Sequence, residues 1–155
     1  MDQTHIELRL GELGETLPTV APPVAAYVPA RIAGDLTFVS GQLPIRDGKL
    51  MARGTVPSDL SEEEATRCAR QCALNAIAAA VGAVPDGREL VGVVRVGVWV
   101  ASDPGFKAQP GIANGASELL QAVFGERGRH ARAAVGAVAL PLGTPVEVEV
   151  LFELG

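Results

Sequence analysis

Arg132 and Glu147 are the residues whose types and placing could do chemistry. They stand near the starts of two alternating runs, HARAAVGAVAL and VEVEVLFEL, on either side of the turn-like PLGTP at 141–145. A planar guanidinium can hold a carboxylate through two charge-assisted hydrogen bonds. A partly desolvated glutamate can take a proton from water. Together they would suit a small acidic substrate. The pattern equally allows two solvated charges. Val146, Val148, Val150 and Phe152 form one apolar face of the last run, and Glu147 shares the other face with Glu149 and Glu153. Ser40, Tyr27 and Asn114 are the other polar candidates. Each also has a plain structural reading: Ser40 as a turn residue before Gly41, Tyr27 as a half-buried ring with its hydroxyl at the surface, and Asn114 as a local hydrogen-bonding residue near a helix start.

Several chemistries lack their residues. His5 and His130 are the only histidines and have no partner at helical spacing, so no zinc ligand set is expected. GQLPIRDGK has the wrong glycine spacing for a phosphate-binding loop, and neither GxGxxG nor GxSxG occurs. Cys68 and Cys72 fall four apart on one helix face, where disulfide geometry is poor; they are expected to be buried free thiols, which fits a reducing cytosol.

The elements that must position the candidates follow from periodicity. Residues 4–14 predict a short helix with Ile6, Leu8, Leu10 and Leu13, capped by Thr4 and stopped at Gly14. ETLPTVAPPV is an extended, proline-rich connector. The segment YVPARIAGDLTFVSGQL reads as a hairpin turning at Gly34-Asp35, and RDGK at 46–49 as a second tight turn. Ser61 with Glu64 forms a capping box, and Ala65, Cys68, Ala69, Cys72, Ala76, Ile77 and Ala80 recur at helical spacing up to Gly82. Residues 89–101 are apolar on both faces except for Arg95, as in a strand covered on both sides. A second helix starts near Pro110, buries Ala113, Ala116, Leu119, Leu120 and Val123, and ends at Gly125. The order of strands, helix, strand, helix and two strands predicts an α+β sandwich, a mainly antiparallel sheet with two helices on one face.

The 155 residues suit one domain: an N-terminal helix and connector over 1–26, and a core over 27–155. At 48% hydrophobic and 4% aromatic, the core must be built from Val, Ala and Leu, and some apolar surface should be buried between subunits. The net charge of −5 disfavours phosphate-driven nucleic-acid binding. The opening MDQTHIELRL lacks the pattern of a signal peptide, no run approaches membrane-spanning length, and a cytoplasmic location is expected.

YVPARIAGDLTFVSGQLP, CARQCALNAIAAAVG, VRVGVWVASDPGF, ANGASELLQAVFG and HARAAVGAVALPLGTPVEVEV, taken in order, resemble the RidA (YjgF) family, also called the L-PSP endoribonuclease family. The resemblance covers roughly Tyr27 to Leu154, and fits the longer branch with an NGASELL…GRHAR signature. It implies a chorismate-mutase-like fold assembled as a homotrimer, with an inner barrel of sheets and clefts between subunits. It implies hydrolysis of 2-imino or enamine acids to 2-keto acids and ammonia, with no metal or organic cofactor. By the same resemblance Arg132 would hold the substrate carboxylate with Gly41 and Asn114 beside it. Glu147 would handle water, and Ser40 and Tyr27 would complete the catalytic set. The chain departs from the family pattern at His130, in place of a proline, at Ala134, in place of a frequent cysteine, and by one extra residue between Asn114 and Arg132. A non-catalytic metabolite-binding trimer is the alternative reading, and a ribonuclease the third.

If the last two strands form a simple hairpin, Glu147 faces Ala139. Arg132 then lies seven residues further along, roughly 23 Å away at about 3.3 Å per residue. A site using both would need two chains.

Overall fold

A computed structural model describes residues 1–20 and 26–155. The proline-rich connector is therefore described only to Val20, and its remainder lies outside the described residues. In chain order the elements are α1 (Gln3–Glu12), β1 (Ala30–Ala33), β2 (Leu36–Gln42), β3 (Ile45–Arg46), β4 (Lys49–Leu50), α2 (Glu62–Ala83), β5 (Leu90–Ala101), α3 (Gln109–Phe124), β6 (Ala131–Ala137) and β7 (Val146–Leu154). Among the described residues, five strands form one sheet in the order β1-β2-β7-β5-β6, and β3 and β4 form a separate ribbon closed by the Asp47-Gly48 turn. This is the expected α+β architecture. The sheet is antiparallel except for the parallel β5/β6 pair.

The helices cover one face of the sheet, α2 over β2 and β7, and α3 over β5 and β6. The capping box is formed as predicted. Glu64 N–H donates to Ser61 Oγ at 3.2 Å, and Ser61 N–H donates to Glu64 Oε2 at 2.9 Å. The predicted stripes of both helices are buried, and their small residues let the helices lie close to each other and to the sheet. At Gly115 the two helices approach closely. A Cβ there would stand 2.1 Å from the Thr66 carbonyl oxygen on α2. Gly115→Ala must push two packed helices apart, at about 3 kcal/mol. A thermal scan should show Tm lowered by roughly 6–12 °C.

The N-terminal helix differs in detail from expectation. Its cap is Asp2, whose carboxylate accepts the His5 N–H at 2.9 Å, so Thr4 falls inside the first turn. Only Ile6 and Leu10 are buried, because the i, i+4 spacing puts them on one face; Leu8 and Leu13 are exposed. That face joins the main core, and Arg9 donates to the Ala122 carbonyl of α3 at 3.0 Å.

The expected β6/β7 hairpin is overturned. Both strands pair with β5, one on each side of it. The reason lies in α3, which makes β5-α3-β6 a crossover connection, and such a connection lays the second strand parallel beside the first. The chain then steps over the end of β5. Ser102 N–H donates to Ala137 O at 3.1 Å and Ala101 N–H to Pro145 O at 2.8 Å, which pins the two flanking strands to the same strand end.

The predicted cover on both faces of β5 is half realised within the chain. Val96, Val98 and Val100 are buried under the helices. The opposite sheet face, which carries Phe38, Leu151, Arg95, Trp99 and Val135, has no element lying on it among the described residues, and Phe38 is 49% exposed. No helix among the described residues is long and apolar enough to cross a membrane.

Candidate functional site

Strand alternation assigns each candidate to a face. Arg132 is in register with Val96, which is in turn paired with Val150; both valines are buried, so its side chain leaves the sheet on the helix side. Glu147 is in register with Trp99, and leaves on the open side. The two residues therefore point to opposite faces, with β5 between their strands. About 4.8 Å per strand and about 3.3 Å per residue put their backbones roughly 14 Å apart. This replaces the hairpin estimate. The residues do not meet within one chain.

On the helix side, α3 holds Arg132 in place. Nη1 donates to Asn114 Oδ1 at 2.9 Å and to Ser117 Oγ at 3.0 Å, and Nη2 donates to the Pro110 carbonyl at 3.2 Å. A guanidinium has five N–H donors. Three are taken, and among the described residues Nε–H and one Nη2–H have no protein acceptor. The side chain is exposed and makes no ion pair with a described carboxylate. It is thus an oriented cation with donors to spare, the arrangement that accepts a carboxylate.

On the open side, a bulge in β2 shapes the other half. Val39 pairs with Val150 and Gln42 with Val148, so Ser40 and Gly41 together oppose Glu149. The irregularity brings the Gly41 backbone against the Glu147 side chain. A Cβ at Gly41 would lie 1.9 Å from Glu147 Oε1 and 2.8 Å from its Cδ. Half-burial raises the Glu147 pKa above its ordinary 4.5, and repulsion from Glu149 adds to the rise. Among the described residues, Glu149 has only Arg95, at 3.6 Å, as a counter-charge. A carboxylate of raised pKa accepts a proton more readily than a solvated one, which suits it to work as a base.

Ser40 ties down the segment before β1. Its hydroxyl donates to the Val28 carbonyl at 2.7 Å, and its N–H donates to Pro29 O at 2.9 Å. Tyr27, on that held segment, is 46% exposed. The structure thus brings together Gly41 with Glu147, Ser40 with the Tyr27 segment, and Asn114 with Arg132.

Sequence reasoning passed over Ser117 and His130, both bound into the Arg132 cluster. Two spacings carried the signal: Asn114 and Ser117 are i, i+3 on one helix, and His130 and Arg132 are two apart along an extended run. Among the described residues, no three His, Cys, Asp or Glu side chains converge as a metal site would need. Cys68 and Cys72 are buried free thiols; burial pushes Cys68 up to about 11 and Cys72 well above 9.0, so neither is a thiolate nucleophile at neutral pH.

Known proteins share this fold. A family model described as "YjgF/chorismate_mutase-like, putative endoribonuclease" matches residues 7–154. Protein TCP17 of Trypanosoma cruzi is 41% identical over 151 residues, which span 97% of this chain and 94% of that protein. The crystal structure of Atu1372 from Agrobacterium tumefaciens, a protein described as of unknown function, is 42% identical and superposes with a TM-score of 0.87 over 98% of this chain and 94% of its own. The YjgF gene product of E. coli, at 24% identity and a TM-score of 0.58 over 88% of this chain and 98% of its own, shares the fold. With a family match over nearly its whole length and a relative 41% identical over 97% of it, the chain belongs to the YjgF/chorismate mutase-like family.

Proposed function

We propose that the protein hydrolyses small 2-imino and enamine acids to 2-keto acids and ammonia, in a cleft formed where two copies of the chain meet. The observation that carries this reading is the division of the site. An oriented, partly unpaired arginine lies on one face of the sheet, and a glutamate of raised pKa lies on the other. One chain cannot close the pair; a neighbouring copy whose edge strand β6 borders the open face would bring its own Arg132 to Glu147. Phe38, Leu151, Trp99 and Val135 offer that copy an apolar surface, and a homotrimer with the open faces turned inward would bury it. The two buried free thiols suit a reducing cytosol.

In this scheme Arg132 takes the substrate carboxylate through its two free donors. The protonated imine carbon is electrophilic. Glu147 removes a proton from a water as the water oxygen bonds to that carbon, and the C=N pair of electrons moves to nitrogen. Glu147 then returns the proton to the amine. The C–N bond breaks and ammonia leaves as the Glu147 carboxylate takes the hydroxyl proton, so the carbonyl of the 2-keto acid forms; Glu147 then gives that proton up to solvent. Gly41 leaves room for the carboxylate beside the bulge. Ser40 and Tyr27 line the approach, and Asn114 holds Arg132 beside the substrate. No metal or organic cofactor is needed for a reaction of this kind, and general base help of about 100- to 10,000-fold suffices for so labile a substrate. The family description names a ribonuclease, but the net charge of −5 provides no basic footprint for RNA.

The test is to generate 2-aminoacrylate in situ and follow ammonia and pyruvate release. Acceleration by the protein supports the reading. Binding of 2-ketobutyrate without acceleration would make the protein a carboxylate-binding member without turnover. The pH profile is a further check. Glu147 must be ionised to act, and its pKa is raised, so kcat/KM should fall with decreasing pH through a midpoint above 4.5. Glu149→Gln removes the repelling charge, and should move that midpoint to lower pH.

A further inference from the structure

Ser117 and His130 are polar, largely withdrawn from solvent, and absent from the chemistry above. Ser117 is 6% exposed and His130 is half-buried. They form one chain of hydrogen bonds with Arg132. Arg132 Nη1 lies 3.0 Å from Ser117 Oγ, Ser117 Oγ lies 2.9 Å from His130 Nε2, and His130 Nδ1 lies 2.6 Å from the Gly128 carbonyl.

Only one direction satisfies every member of the chain. The Gly128 carbonyl can only accept, so His130 Nδ1 must carry a proton. Burial holds the His130 pKa below its ordinary 6.5, and the Arg132 charge lowers it further, against the opposing effect of the Gly128 carbonyl. The ring is therefore neutral near pH 7, and Nε2 is an acceptor. Ser117 donates its one hydroxyl proton to Nε2, and a lone pair is left facing Arg132. The far end of the chain is firm. A Cβ at Gly128 would lie 2.5 Å from the Leu120 carbonyl oxygen and 2.7 Å from Gln121 Cα, so the turn holding that carbonyl is packed directly on α3. The chain thus runs from Arg132 on β6, through Ser117 on α3, to a turn packed on that same helix.

We propose that Ser117 and His130 are positioning residues for Arg132: the neutral imidazole fixes the Ser117 hydroxyl as an acceptor, and this keeps the guanidinium in the orientation that leaves Nε–H and one Nη2–H open to a substrate carboxylate. The proposal rests on the reading of Arg132 as a carboxylate binder. Without an acceptor at position 130 the hydroxyl can rotate and present its proton to the guanidinium. Arg132 then keeps two anchors of three and samples more rotamers before binding.

The experiment is calorimetric titration of the intact protein with 2-ketobutyrate. Ser117→Ala and His130→Leu should each weaken binding about 5- to 10-fold. The double variant should be no weaker than either single one, because both break the same chain. His130→Gln supplies a carbonyl acceptor, and should restore affinity to within about 2-fold, a rescue that a purely space-filling role does not predict. Equal affinity in all variants, or no rescue by glutamine in a folded protein, overturns the proposal and leaves the carboxylate site standing. No binding by the wild type overturns both. Independently of any variant, nitrogen NMR should find His130 protonated at Nδ1 and bare at Nε2 at neutral pH; the reverse tautomer overturns the proposal.

Discussion

Arg132→Ala should lower kcat/KM for 2-aminoacrylate hydrolysis by roughly 100- to 1000-fold and leave Tm nearly unchanged. Two charge-assisted hydrogen bonds to a carboxylate are lost, each worth about 1.5–2 kcal/mol. Together they correspond to a rate factor of that size. The side chain is exposed, and its removal strands no buried group. Ser117 still donates to His130, and Asn114 is free to turn to water. Arg132→Lys keeps the charge but not the planar fork, and it loses the geometry that pairs with Asn114, Ser117 and Pro110 at once. It should recover no more than about 10-fold of the loss. Steady-state kinetics with a thermal scan of each variant decides the matter. Wild-type rates in Arg132→Ala would remove this residue from the site.

Gly41→Ala should be nearly as severe, and for a different reason. The new Cβ would lie 1.9 Å from Glu147 Oε1, 2.8 Å from Cδ and 3.1 Å from Cγ. Both the end of the glutamate and its stem must move, so the carboxylate leaves its place beside the bulge. The Gly41 backbone is not in the left-handed region, so alanine itself is not strained there. The Glu147 side chain can swing toward the open face without breaking the core. The expected result is a loss of general base help of about 100- to 10,000-fold in kcat. Affinity for 2-ketobutyrate should stay close to wild type, because the carboxylate is held by Arg132, whose anchors at Asn114, Ser117 and Pro110 do not involve Gly41. The pair of variants thus separates the two halves of the cleft: one loses binding and the other loses turnover. Activity within a few-fold of wild type in Gly41→Ala would mean that the Glu147 carboxylate is not needed where the structure holds it.

Much of this molecule is legible along the chain because its signals are local. Ser61 and Glu64 meet within one helical turn, so their capping box could be read from spacing alone. The same holds for the buried stripes of α2 and α3, for the turn at Gly34-Asp35, and for the alternation that separates Val146, Val148 and Val150 from Glu147 and Glu149. The N-terminal cap is not legible in this way: Asp2 and Thr4 are both competent caps, and the choice depends on where Ile6 and Leu10 must land on the core.

The sequence by itself therefore determined the kinds and order of the elements, the residue types suited to acid substrates, and, through motif resemblance, the family. Only the tertiary structure decided which strands are neighbours. Alternation says which side of a strand a residue occupies, but carries no information on the strand beside it. That was settled by the α3 crossover, which set β6 parallel to β5 and left β7 on the other side. From that one decision follow the opposite faces of Arg132 and Glu147 and the contact between Gly41 and Glu147. The acceptors that hold Arg132, at Pro110, Asn114 and Ser117, follow from it as well. These contacts join residues distant in sequence, and they exist only once the helix has carried the chain back across the sheet.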